Sequence, residues 1–418
     1  MIDTSGWDWS PGKREVADTA AFAEGAQWVE EFQASPDGEK LAVVVRTEDE
    51  DFAVRINGED WGEDRYEKAY NLRFAPDGRL MACVSVDMEW TMAVDGESWP
   101  EGYGFIMRPR FVADSVFCGI QQDMRYGCSL NGAAWETLYD NANQFAADAA
   151  GEHTAAVIQA EPLAQADIYK YQSGIFTVAV DGTPWAERFV NCYTPVFAPD
   201  ASKVACQVRR SLYDYTIAVD GKVWGKNYQC VWEPAFNPAT GAVVAPVRVG
   251  GKWGLAQDND MIWDPLYFQL WQQQFSPCGK NIFAICAPSF GEFTVIKNKA
   301  PWGVTFPVVT DLRLSPDGQR ACAIGRDGDA RYHLMLDGAV WPGAYDMLFW
   351  PVFSPDSAHV AIRADKGGRQ VILVDGKPYG EDFEQAFDPA FSPDSKSVLI
   401  KGLKNGKFTR IVAALSDF

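Results

Sequence analysis

A turn signature of the Ser-Pro-Asp-Gly type returns along this chain about every 39 residues. A period of that length means stacked copies of one supersecondary unit. The first position of the signature is held by Ser35, Ala75, Val112, Ala146, Ala198, Asn237, Ser276, Ser315, Ser354 and Ser392. A second signature, apolar-Asp-Gly-x-x-Trp, runs in phase with it. It ends at Trp61, Trp99, Trp135, Trp185, Trp224, Trp263, Trp302, Trp341 and Tyr379.

The copy at residues 351–390 shows what one period builds. Pro351 to Ser354 is a short apolar strand, Pro355-Asp356-Ser357 a turn, and His359 to Arg363 a second strand. After the loop Asp365 to Gly368, Arg369 to Val374 forms a third strand. Asp375-Gly376 then suits a type I′ hairpin, whose two central residues both need positive φ. An outer strand follows Tyr379. Four short antiparallel strands make one propeller blade. The expected fold is an all-β β-propeller of about ten four-stranded blades, spanning residues 17–418 after a tail of residues 1–16. Two five-bladed propellers give the same count. One ring is preferred, because no Pro/Gly/Ser-rich linker interrupts the phase.

The last copy, Phe391 to Phe418, has room for only three strands. Phe22 lies 13 residues before Ser35, as Trp341 lies before Ser354. The segment Ala17 to Phe32, with Trp28, is therefore expected to supply the missing strand. It would pair with Ile411–Leu415, bring Phe22 near Val412 and remove the open sheet edges.

Composition narrows the function. The chain has 418 residues and a net charge of −20, so its body repels nucleic acid and anionic lipid. No run of about 18 apolar residues exists to span a bilayer, and the first residues do not read as a signal peptide. The nine Cys show no metal-ligand spacing; Cys83, Cys118, Cys206, Cys286 and Cys322 fall in second strands as small core residues. These features predict a cytoplasmic protein with reduced thiols.

Signs of chemistry are sparse. His153, His333 and His359 stand in three different copies, so they form no acid–base centre. Ala287-Pro288-Ser289-Phe290-Gly291 resembles a nucleophile elbow but lies between two blade strands, where no strand-to-helix turn is expected. There is no phosphate-cradling glycine motif, and the acidic runs at Glu48–Asp51 and Asp327–Asp329 read as solvated loops. No catalytic, cofactor-binding or metal-binding residue is assigned, and the chain is not expected to be an enzyme. A glycan-active enzyme built on converging carboxylates is the least favoured alternative.

Function should then lie in what breaks the repeat. The interval from Ala146 to Ala198 is 52 residues, and its excess falls between the second and third strands, from Glu161 to Tyr171. Loops that outgrow their neighbours often bind, which makes Leu163, Ile168, Tyr169 and Tyr171 candidate contact residues. Trp7 and Trp9, in a polar tail with no promised core, are candidate interface anchors. Trp232, Trp271 and Trp350 precede first-strand segments and are expected to pack between blades.

The Ser-Pro-Asp-Gly blades resemble the PD40 subgroup of WD40-like propellers, the TolB type. More narrowly, the Trp-rich composition, the Asp-Gly-x-x-Trp copies and the opening Trp7-Asp8-Trp9-Ser10-Pro11-Gly12 are similar to the TmcD subunits of the Tmc transmembrane electron-transfer complexes of sulfate-reducing bacteria. That resemblance implies a cytoplasmic, tryptophan-rich scaffold, peripheral to the inner membrane through its partner subunits. A cytoplasmic iron–sulfur subunit would be the docking partner, in a complex serving sulfate respiration. It implies no redox ligand on this chain, no nucleic-acid partner and no direct membrane insertion. The alternative is a protein- or peptide-binding propeller unrelated to electron transfer.

Overall fold

In the computed structural model, which describes residues 2–164 and 167–418, the two signatures become turns with distinct jobs. Gln165 and Ala166 of the long loop lie outside the described residues. Ser35, Ser315, Ser354 and Ser392 are buried. Each Oγ donates to the carboxylate two residues on, at 2.5–2.7 Å, and accepts the N–H five residues on, at 2.9–3.0 Å. One hydroxyl thus closes the turn on both sides; where Ala75 and Ala198 hold the place, backbone hydrogen bonds close it without that hydroxyl. In the fourth blade this place belongs to Asp148, not Ala146, since the Asp148 carboxylate accepts the His153 N–H at 2.7 Å.

The Asp-Gly turn also links distant strands. Asp375 and Gly376 adopt φ of 49° and 81°, as a type I′ turn demands. The Asp375 carboxylate accepts the Val360 N–H (3.0 Å) that opens the second strand of its blade. Asp95, Asp181, Asp220 and Asp337 do the same for Leu80, Thr154, Val204 and Ala321. Asn57 and Asn298 substitute because an amide oxygen accepts equally well. The Gly carries the phase: a Cβ on Gly221 would come within 3.3 Å of Trp185, and one on Gly338 within 3.4 Å of Trp302. Each Trp therefore packs beneath the Asp-Gly turn of the following blade.

The result is an all-β propeller fold of ten four-stranded antiparallel blades. In two blades the first strand is interrupted, at Trp232–Pro234 and at Phe349–Pro351, where Pro cannot donate to the ladder. The chain divides into two compact units, residues 1–100 with 302–418, and residues 101–301. Each unit holds five of the blades. Second strands such as Leu41–Thr47 and Leu80–Val86 are the most buried, and apolar clusters join the faces of consecutive blades.

The chain's first strand does complete the last blade, but in a different register from that expected. The strand is Gly12–Asp18, and it pairs with Lys407–Ala414: Gly12 faces Val412, Arg14 faces Arg410 and Asp18 faces Lys407. It thus begins inside residues 1–16, the stretch expected to be a tail. Phe22 is not on it. It ends a short helix, Thr19–Phe22, capped by the Asp18 carboxylate, and is fully buried. Trp28 lies on Ala26–Ala34, the first strand of the next blade, beneath the Arg46 guanidinium at 4.6 Å. The reason is an insertion. Arg14 holds the place that Tyr379 holds one blade earlier, yet stands 21 residues before the next signature Ser rather than 13. The helical turn absorbs the difference.

Three second-strand glycines show how tightly the sheets meet. A Cβ on Gly402 would lie 2.3 Å from the fully buried Phe383 ring, and Gly325 and Gly119 stand likewise against Phe306 and Phe145. Gly402→Ala is expected to cost about 2 kcal/mol through overpacking, read as a lower urea midpoint. An unchanged midpoint would mean that the ring yields freely.

Candidate functional site

Hairpins between second and third strands leave the same end of each blade. In the unit of residues 101–301 that end is unusually apolar. Met124 is 75% exposed, Tyr169 83%, Tyr213 81% and Phe290 87%, each at the tip of a different blade's hairpin. Phe268 reaches the same end, its ring edge-on to Phe290 at 6.2 Å, with the Lys252 ammonium 3.0 Å from its centroid. A large side chain held in water at four of the unit's five hairpin tips gains nothing for the fold.

The long loop supplies the largest of these tips. The Asp167 carboxylate accepts the Lys170 N–H (2.9 Å) and starts a helix, Ile168–Ser173, none of whose residues is buried. Gly174 ends it at φ 95°, where a Cβ would come within 3.0 Å of the Phe189 backbone. Leu163, Ile168 and Tyr169 face solvent, whereas Tyr171 leans edge-on against Phe176 of its own blade at 6.5 Å. The structure thus leaves Leu163, Ile168 and Tyr169 exposed, and adds Met124, Tyr213 and Phe290, which sequence reasoning missed. Their position was legible, since each falls where the repeat phase places a hairpin tip, but their exposure was not.

Trp7 and Trp9 belong to the other unit. They stack on one another, centroids 6.1 Å apart with planes 16° from parallel, and both are half-buried. The Trp9 indole donates to the Thr4 carbonyl (2.9 Å), and the Thr4 hydroxyl to the Phe391 carbonyl (3.2 Å). Arg410 donates to the Asp8 carbonyl. The tail is therefore stapled to the last blade, and Trp7 lines a cavity there with Phe353, Phe387 and Phe391.

Of the three tryptophans expected to pack between blades, Trp271 is half-buried beside neighbouring strands, whereas the other two are not buried. Trp232 and Trp350 are exposed. Trp232 stacks on Trp253 at 5.3 Å and Trp271 meets Phe293 at 5.4 Å, both beside an open hollow of about 760 Å³ that also touches Glu233. Trp350 lies under the Arg313 guanidinium at 4.1 Å. The interrupted first strands account for the exposure of Trp232 and Trp350, because each Trp sits in the break.

The histidines serve turns. His153 and His359 occupy the same repeat position, each 2.6–2.7 Å from the Asp of an Asp-Gly turn, and His333 meets Asp327 at 2.8 Å. Desolvation pushes the thiol of Cys83 up to about 11 and that of Cys286 up to about 12, so both stay protonated at neutral pH. Among the described residues no group of three His, Cys, Asp or Glu is placed to hold a metal ion, and no helix is long and apolar enough to cross a membrane.

No family model and no curated protein matches the chain. Many solved structures are similar to it, three of them as follows. A eukaryotic initiation factor is 12% identical at a TM-score of 0.45, over 90% of this chain and 89% of that one. A Dos1 propeller is 10% identical at 0.38, over 88% and 95%. TolB from Acinetobacter baumannii is 14% identical at 0.31, over 58% and 61%.

Proposed function

We propose that the chain is a non-catalytic interaction scaffold that docks a partner protein on the hairpin end of the unit of residues 101–301. The supporting observation is the set of aromatic and Met tips there, exposed on four of the unit's five hairpins. Tyr and Phe presented this way bury large area at little entropic cost. The finer reading, drawn from the TmcD resemblance, makes the partner a cytoplasmic iron–sulfur subunit of a membrane-associated electron-transfer complex. In that reading the chain stabilises the redox subunit and carries no cofactor itself. Trp7 and Trp9 then serve mainly to anchor the tail.

The triple variant Tyr169→Ser, Tyr213→Ser, Phe290→Ser tests the scaffold role. Each aromatic anchor is worth about 1–2 kcal/mol at an interface, so partner affinity should fall about 100-fold or more with the melting temperature unchanged. Affinity purification from native membranes followed by mass spectrometry reads both points. Equal recovery of the same partners by both proteins would rule out this end. Recovery of partners lacking iron–sulfur or cytochrome subunits would leave the scaffold and remove the redox assignment.

A further inference from the structure

The repeat breaks most sharply inside the sheets, at one position of the second strand. It lies three residues after the residue whose N–H the Asp-Gly turn receives. Val44, Cys83, Gly119, Val157, Pro246, Ile285 and Ile324 occupy it in seven blades, and the neutral Gln207 in an eighth. In the last two blades it is Arg363 and Lys401. Two cations side by side at a core position, in a chain of net charge −20, are not an architectural choice.

Both face one cavity of about 490 Å³, in the size range of small-molecule sites. Its walls are mostly apolar and include Phe353, Phe387 and Phe391, and its roof is the stapled tail, with Ile2, Thr4 and Trp7. Lys401 is 95% buried, at 5% exposure. Its ammonium has three donors and meets two carbonyls, Pro36 at 2.9 Å and Ser35 at 3.4 Å. Arg363 donates to the Ala386 carbonyl at 2.8 Å and to the Gln370 side chain at 3.4 Å, and pairs with Asp388 at 3.2 Å. Its Nε is buried with no partner among the described residues. Asp388 is the one carboxylate on the lining, facing two cations, and Asp37 acts on Lys401 from outside it.

We infer that this cavity binds a small organic acid, a monoanion with a flat or branched hydrocarbon body, its carboxylate held by Lys401 and Arg363. The anion supplies the acceptors that the spare ammonium donor and the orphaned Nε lack, and the hydrocarbon body fills the aromatic walls. This site lies in the unit of residues 1–100 with 302–418, so it stands independently of the docking reading.

Calorimetric titration with 4-phenylbutanoate, against the isosteric neutral 4-phenylbutan-1-ol, tests the inference on the full chain. The acid should bind one site saturably, and the alcohol at least about ten-fold more weakly. Lys401→Met and Ala390→Trp should each weaken the acid about ten-fold or more, the first by removing the charge and the second by filling the cavity. Circular dichroism confirms that each variant is folded. If Lys401→Met does not fold, Ala390→Trp and the acid–alcohol comparison still decide. Equal binding of acid and alcohol overturns the inference, as does full affinity in a folded Ala390→Trp variant. Absence of saturable binding up to about 5 mM overturns it as well.

Discussion

Deleting residues 1–18 should lower the melting temperature by about 10 °C or more and turn the last blade into an aggregation edge. The strand Gly12–Asp18 is the fourth strand of a sheet whose other three come from the chain's far end. Without it, one side of Lys407–Ala414 loses its ladder partners. Ala17 also leaves the apolar cluster it shares with Phe22, Val43 and Phe408. Ion pairs go too: Lys407 with Asp18 at 2.6 Å and with Glu15 at 3.0 Å, and Lys13 with Glu381 at 2.7 Å. Those pairs are partly exposed and count for little singly. The ladder and the buried apolar surface together are worth about 5 kcal/mol or more. Scanning calorimetry of three proteins separates the causes: the full chain, a deletion of residues 1–9, and a deletion of residues 1–18. The shorter deletion loses the Thr4 and Trp9 staples and should melt only slightly earlier. If the longer one melts with the full chain, terminal pairing contributes nothing to stability.

Much of this architecture was legible because the repeat writes its hydrogen bonds into residue types. A Ser whose hydroxyl both donates and accepts recurs at several of the turns, and an Asp or Asn that receives a distant N–H recurs from blade to blade. Ser354 with Asp356, and Asp375 with Val360, illustrate the two. Counting along the sequence failed where chain length changed without changing the pairing. The turn of helix at Thr19–Phe22 displaced the closing strand, and the first-strand breaks at Trp232 and Trp350 turned expected core residues outward. The proposed docking surface was half legible. A loop of unusual length pointed to Tyr169, but tips of ordinary length, such as Tyr213 and Phe290, are conspicuous only once their exposure is known. Arg363 and Lys401 were least legible. Sequence shows a charge in a strand but not that the strand is buried on both faces, and a charged side chain is most often a solvated one.

That burial gives Lys401 a measurable signature. Desolvation, the largest influence, together with the nearby Arg410 and Arg363 guanidinium groups, lowers its pKa from 10.5 to about 8, against the opposing pull of Asp388 and Asp37. The unfolded chain keeps the ordinary value, so between about pH 8 and pH 10.5 the unfolded state binds more protons than the folded one. Stability contributed at this site therefore rises with pH across that window. Below about pH 8 both states are protonated, and the cost of burying the ammonium is present in full. Above about pH 10.5 both are neutral and the cost is gone. Lys401→Met has no proton to lose. The stability gap between wild type and Lys401→Met should therefore move by about 3 kcal/mol in favour of the wild type from pH 7.5 to pH 10.5. Urea midpoints of both proteins at the two pH values measure it, and titrations common to both cancel in the difference. A gap that stays constant would mean that water reaches the ammonium, and a solvated amine would have no need of an anion in the cavity. A bound acid should act in the opposite sense. Its carboxylate favours the charged amine, so saturating 4-phenylbutanoate should push the transition upward in pH and shrink the wild-type change.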